Sequence, residues 1–234
     1  MSARPRGLVV AIDGPSGAGK STVGRALARR LGYVFLDTGA MYRALALRAL
    51  RAGVALDDPD GLAGLAHDIR IGIEDEGRRI LLDGEDVSAD LRTREVSAAA
   101  SRVSVHPPVR REMVRRQQDM GALGGVVLDG RDIGTAVFPD ADVKFYVDAD
   151  PARRAVRRQA ELAAAGLPAD LEAIEREIRE RDHADSTRAD SPLTRAPGAI
   201  AIDTTSDTPE EVVERMLTAV RARSATDENV ERKT

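Results

Sequence analysis

The residues best equipped for chemistry lie near the start of the chain: Gly14, Pro15, Ser16, Gly17, Ala18, Gly19, Lys20, Ser21 and Thr22, in that order. They fit G-x-x-x-x-G-K-[ST], the pattern of a loop that cradles phosphate. Glycines let backbone amides wrap an anion without clash, and the helix that follows aims its N-terminus at the charge. Lys20 then reaches the β and γ oxygens of ATP, and the Ser21 hydroxyl holds Mg²⁺. A chance glycine turn would match this pattern roughly twice in a thousand chains of such composition. Only Lys20, Lys144 and Lys233 are lysines among 35 basic residues. A chain that otherwise uses arginine has kept a compact ammonium at position 20, which a planar guanidinium does not imitate.

Three further loops carry dense polar chemistry: Asp37 to Arg43, Gly130 to Gly134, and Arg181 to Arg188. The first two directly follow apolar runs. Loops at the carboxyl ends of parallel strands are where open α/β sheets bind ligands, so both fall at the same edge as the phosphate loop. A guanine-nucleotide switch needs N-K-x-D, but the sole asparagine is Asn229. Many ATPases place Glu after the Asp that ends an apolar strand; here Val126 to Asp129 is followed by Gly130. A small-molecule kinase needs neither, only an acceptor pocket and a charged flap.

The elements that must hold these loops alternate between strand and helix. Leu8 to Ile12 reads as a buried parallel strand, Ser21 to Leu31 as a helix, Tyr33 to Leu36 as a strand, and Ala40 to Arg51 as a helix. That alternation predicts a parallel sheet covered by helices. Residues 54–60 read as a loop. Roughly residues 62–98 read as a small antiparallel insert, with Asp83-Gly84 as its hairpin turn. Helices are predicted over Thr93 to Ser104 and Val109 to Met120, and strands over Val126 to Asp129, Val143 to Val147 and Ile200 to Asp203. Pro151 to about residue 188 reads as one charged helical segment, and Pro209 to Arg223 as a closing helix. The tail from Ser224 is expected to fray.

Composition narrows the classes. With 234 residues and 42% hydrophobic content, the chain can bury a sizeable core. The absence of cysteine rules out disulfides, thiolate metal sites and cysteine nucleophiles. A net charge of −4 gives no global attraction to nucleic acid or an anionic membrane. No nucleic-acid partner, no membrane association and a cytoplasmic location are therefore expected, with a monomer as the default. The three histidines, His67, His106 and His183, match no metal spacing.

The chain resembles the bacterial cytidylate kinase (CMP/dCMP kinase) family of P-loop nucleoside monophosphate kinases, from Val9 to about Arg221. The resemblance rests on Ile12 to Thr22, Leu36 to Arg43, Gly84 to Ser88 with Leu91-Arg92-Thr93, the Ser101 to Arg110 region, Asp129 to Ala141, and Arg181-Asp182 with Asp185 and Arg188. It implies an α/β fold: a P-loop kinase core with a parallel sheet covered by helices, a small antiparallel NMP-domain insert and a helical lid. The corresponding regions are 1–37, 99–152 and 189–223 for the core, 38–98 for the NMP-binding region and 153–188 for the lid, with 224–234 as the tail.

The resemblance also implies the roles. ATP with Mg²⁺ sits on residues 14–22, with Ser21 as the metal's protein ligand. CMP or dCMP is bound by Thr38, Tyr42, Arg43, Ser101, Arg110, Arg131, Asp132, Arg181, Asp185 and Arg188. Lys20, Arg131, Asp132 and Arg188 form the catalytic set. Ser101, Arg110 and Asp132 match positions that read cytosine, and a carboxylate suits its exocyclic amine. Asp129 is read as stabilising a Mg²⁺-bound water or orienting Lys20. Of Arg154, Arg157 and Arg158, one or two are expected to clamp ATP phosphates, with Arg158 as the named candidate. The rival readings are another small-molecule P-loop kinase or a catalytically idle nucleotide-binding protein.

Overall fold

A computed structural model describes residues 4–164 and 166–231, with side chains to 225. Met1 to Ala3, Ala165 and Arg232 to Thr234, including Lys233, lie outside the described residues. Five parallel strands form the main sheet: β1 (Val9–Asp13), β2 (Val34–Asp37), β6 (Val126–Gly130), β7 (Val143–Asp148) and β8 (Ile200–Asp203), in the order β2-β6-β1-β7-β8. β1 is central and fully buried, which explains its unbroken apolar run. Its neighbours β6 and β7 leave on opposite sides, so the crevice beyond its carboxyl end is the natural ligand position.

Helix α1 (Lys20–Leu31) and the last helix α8 (Pro209–Glu231) pack on one face of the sheet. Val23, Leu27, Phe35, Phe145, Val147, Met216 and Leu217 fill that layer. Helix α2 (Thr38–Ala52) begins directly after β2. A second core joins α2 to the segment that follows, through Met41, Leu45, Leu62, Ile80, Val96 and Met113. α8 continues beyond the predicted end at Arg223 to Glu231, where the sequence reading had expected fraying.

The small antiparallel sheet is present as β3 (Ile71–Glu74), β4 (Arg79–Leu82) and β5 (Glu85–Asp86). Asp83 and Gly84 both adopt positive φ, 52° and 95°, as the predicted hairpin turn requires. The segment before it differs from expectation. Pro59 to Asp68 forms helix α3, where a loop and the start of the insert were predicted. Asp58 caps it by accepting from the Gly61 amide at 3.0 Å, and Pro59 takes the first turn, where its missing N–H costs nothing. Helices α4 (Arg94–Val103) and α5 (Pro107–Gly121) then return the chain to β6.

The tip of the β3–β4 hairpin is fastened to the phosphate-loop helix. Arg25 of α1 donates to the carbonyls of Glu76 and Gly77 at 2.8 and 3.2 Å, and lies over the Phe35 ring at 5.0 Å. Arg29 pairs with the Glu76 carboxylate at 2.5 Å. The single charged segment predicted from Pro151 resolves into two helices, α6 (Pro151–Ala164) and α7 (Leu171–Thr187). They share a small core of Ala155, Leu162, Ile174 and Ile178. Among the described residues, no helix is long and apolar enough to cross a membrane.

Candidate active site

The phosphate loop leaves β1 through Gly14, whose φ of +145° and position against β7 admit no side chain. A Cβ there would lie 1.9 Å from the Val147 carbonyl oxygen. Gly19, also at positive φ, turns the chain into α1. The loop is tied to its surroundings by its carbonyls. Lys20 Nζ donates to the Pro15 carbonyl at 2.6 Å, Arg154 to that of Ser16 at 3.0 Å, and the Thr204 hydroxyl to that of Ala18 at 2.9 Å. Such fastening leaves amides as the loop's anion donors. Gly17 packs on the Arg154 stem, and Thr22 is an exposed residue in the first turn of α1.

Lys20 is buried, and that burial pushes its ammonium well below the usual lysine range; Arg131 presses it further the same way. Asp129 is buried beside it, its carboxyl pushed up by burial and by Asp37. Ser21 Oγ donates to Asp129 Oδ2 at 2.5 Å, while Asp129 Oδ1 is buried without a hydrogen-bond partner. A hydroxyl and a carboxylate oxygen at this point are hard donors that suit Mg²⁺ shared with phosphates. Among the described residues, no group of three or more His, Cys, Asp or Glu forms a protein-only metal cage.

A second polar cluster draws on four separate parts of the chain. Arg110 from α5 pairs through Nη2 with Asp132 Oδ2, and Arg188, just past α7, approaches Asp132 Oδ1 at 3.5 Å. Asp190 lies 3.5 Å from Arg110 Nε. Tyr42 from α2 borders the same cluster; burial pushes its phenol up to about 12, with Arg110, Asp132 and Arg188 all acting on it. Arg131 donates to Asp185 at 2.8 Å. Burial opposes charge on Asp185, but Arg131, Arg181 and Arg188 together hold the carboxyl below its ordinary range. Arg181 is pushed down to about 10 by burial and by Arg131. Arg43 pairs with Asp37 at 3.0 Å.

Two anticipated residues are engaged elsewhere. The Thr38 hydroxyl donates to the Asp129 carbonyl at 2.7 Å, so its one proton ties α2 to β6 instead of pointing at a phosphate. Ser101 Oγ makes a long 3.4 Å contact to the Ser97 carbonyl of its own helix, and no described hydrogen bond joins it to Arg110 or Asp132. Of the α6 arginines, Arg154 and Arg157 reach the loop's neighbourhood; Arg157 donates to both the hydroxyl and the carbonyl of Thr204. Arg158 does not. It pairs with Glu161 at 3.0 Å on the open part of the helix, one turn beyond Arg154.

Sequence reasoning missed Asp13, Asp37 and Asp182 as parts of this network. Asp182 receives Arg154 Nη2 at 2.6 Å, linking α7 to the phosphate loop through one buried guanidinium. Asp13 carries a legible signal, a carboxylate directly after an apolar run.

A phosphate loop facing a cluster of arginines narrows the class to phosphoryl transfer, and comparison with known proteins names the family. The family model for cytidylate kinase matches residues 10–222. The chain belongs to the cytidylate kinase family. A cytidylate kinase of Geobacter sp. (strain M21) is 51% identical over 224 residues, covering 95% of this chain and 96% of that protein. The cytidylate kinase of Symbiobacterium thermophilum is 50% identical over 220 residues, covering 93% of this chain and 97% of its own length. Among solved structures, a shikimate kinase from Acinetobacter baumannii, in complex with shikimate, aligns with a TM-score of 0.48 at 18% identity, covering 92% of this chain and 93% of its own. As a cytidylate kinase, this chain is a P-loop transferase acting on nucleotides.

Proposed function

We propose that the enzyme transfers the γ-phosphoryl group of ATP to CMP or dCMP, giving ADP and CDP or dCDP. The observation that carries this reading is a surplus of cationic donors opposite the phosphate loop. Arg181 Nε is buried without a hydrogen-bond acceptor, and Arg110 Nε and Arg188 Nη2 are buried with only a carboxylate oxygen at 3.5 Å and no hydrogen bond formed. Buried guanidinium N–H groups are costly unless paired, so these three call for anionic or carbonyl oxygens from a ligand.

In this reading ATP lies on residues 14–22, with Lys20 leaving the Pro15 carbonyl for the β and γ oxygens. Ser21 and Asp129 would hold Mg²⁺ with the ATP phosphates, and the ion bound there supplies positive charge to the moving phosphoryl group. Arg43, Arg131, Arg181 and Arg188 take the acceptor phosphate, exchanging carboxylate partners for phosphate oxygens. Asp185, released from Arg131, is placed for a ribose hydroxyl. Asp132 accepts from the cytosine amine and Arg110 donates to the ring acceptors, with Tyr42 packing beside them. Uracil would set a carbonyl against Asp132, acceptor to acceptor.

No general base is required, because the acceptor phosphate has a second pKa of about 6 and is mostly dianionic at neutral pH. Residues 38–98 serve as the NMP-binding region. Residues 153–188 serve as a lid whose closure brings Arg181 and Arg188 to the phosphates and excludes water. A phosphoryl-transfer assay with ATP against CMP, dCMP, UMP and AMP tests the proposal. CDP and dCDP should form readily and UDP poorly; absence of CDP would overturn it.

A further inference from the structure

Asp13 ends β1, immediately before Gly14, and is only 2% exposed. Both of its carboxylate oxygens are spent on one short piece of distant backbone. Oδ1 accepts from the Ile133 amide at 2.7 Å and Oδ2 from the Gly134 amide at 2.8 Å. From the other direction, the Asp132 carbonyl accepts the Ala136 amide at 2.8 Å, closing the tight π-turn Ile133–Val137. The backbone around Asp132 is thus held on both sides, and its side chain is left to Arg110 and Arg188.

We propose that Asp13 is a positioning residue for the acceptor nucleotide: by clamping the Ile133 and Gly134 amides it sets Arg131 and Asp132 in register with the phosphate loop. The inference rests on the acceptor reading given above. Its logic is geometric. Asp13 and Gly14 are adjacent, so the same backbone that starts the donor cradle also fixes the loop that reads the acceptor. The two substrates meet in line only if those loops keep their spacing, and a misplacement of about 1 Å can cost 10²-fold in rate. Burial pushes the Asp13 carboxyl up to about 6, and the two amides pull against that rise. At neutral pH it is charged and acts as an acceptor at both oxygens.

The rival role is electrostatic. Asp13 also acts on Lys20 at a distance, though less than burial, Arg131 and Asp129 do. Asp13→Asn separates the two, because the asparagine nitrogen would face a backbone N–H, donor to donor, and release one amide. The expected result is a rise in KM for CMP of about 10- to 100-fold and a reduced preference for CMP over UMP. KM for ATP should stay within about threefold, whereas kcat at saturating CMP should fall by up to about 10²-fold as the acceptor moves out of line. Gly134→Ala attacks the same clamp from the other side, since a Cβ there would lie 3.3 Å from Asp13 Oδ2 and 3.1 Å from Lys144 Cδ. It should reproduce the CMP-specific defect even if Asp13→Asn fails to fold.

An unchanged KM for CMP in a folded Asp13→Asn, or in Gly134→Ala, would overturn the proposal. So would a loss shared equally between ATP and CMP. Amide hydrogen exchange at Ile133 and Gly134 needs no substrate: faster exchange in Asp13→Asn supports the clamp, and unchanged exchange refutes it. Should the wild-type enzyme make no CDP, the acceptor reading falls, while the exchange experiment still reports on the clamp.

Discussion

The phosphate loop and the arginine cluster proposed to take the acceptor are opposite constructions. The donor loop is nine consecutive residues, shaped by glycine backbone geometry and tethered by its carbonyls to Lys20, Arg154 and Thr204. The proposed acceptor pocket is built from side chains on α2, α5, the turn after β6 and the end of α7, with Arg43, Arg110 and Arg131 each held by a carboxylate. The first construction puts function in the main chain, where side chains other than Lys20 and Ser21 matter mainly by staying small. The second puts it in charged side chains that must be released from one partner to serve another. Selectivity among bases is therefore to be sought on the acceptor side, and raw phosphoryl-transfer power on the donor side.

That contrast breaks most visibly at Lys20. Lys20→Ala should lower kcat by about 10³-fold or more while leaving the relative use of CMP and UMP intact, as steady-state assays would show. Near-normal turnover would place the transferring charge elsewhere. Asp132→Ala should do the reverse in kind: the ratio of kcat/KM for CMP over UMP should fall by about 10²-fold. A ratio that stays put removes Asp132 from base reading. The α6 arginines sharpen the boundary between the two sides. Arg154→Ala, which frees the Ser16 carbonyl and Asp182, should raise KM for ATP about tenfold. Arg158→Ala, losing only an exposed pair with Glu161, should change it less than about threefold.

The smallest effect concerns pH and Asp13. Its native carboxyl is raised to about 6 from a model-peptide 3.8 by burial, so the folded state binds its proton more tightly than the unfolded one. The stability this contributes is complete below about pH 4 and is lost as pH rises through about 6. The melting-temperature advantage of wild type over Asp13→Asn should accordingly shrink between pH 5 and pH 7.5. An advantage that grows over that range would contradict the raised value.

The same contrast explains what could be read without a structure. The donor loop was legible because its geometry demands glycine, lysine and serine at fixed spacing within one stretch. The main sheet followed from its apolar runs, and the β4–β5 hairpin from Asp83-Gly84. Helix α3 was not legible: only Leu62 and Ala66 are fully buried on it, and Asp58-Pro59, a cap and a first-turn proline, looks like any loop. The acceptor set came through resemblance alone, since no local spacing joins Arg110 to Asp132 or Asp185 to Arg131. Arg154 and Arg158 occupy neighbouring turns of one helix face, and only burial, absent from sequence, tells them apart. Thr38 kept the right hydroxyl, but its proton had a nearer carbonyl to satisfy.

The grip of Arg25 and Arg29 on the hairpin tip gives the insert a second point of support, well away from its chain connections to α3 and α4. A flap joined at one end swings; a span resting on two piers transmits load. If a nucleotide settles against Tyr42 and Arg110 as proposed, a shift of the insert would be felt at α1, the helix whose first turn carries Lys20 and Ser21. Excising the hairpin to make a leaner enzyme would therefore also unsettle the ATP side, through the lost grip on α1.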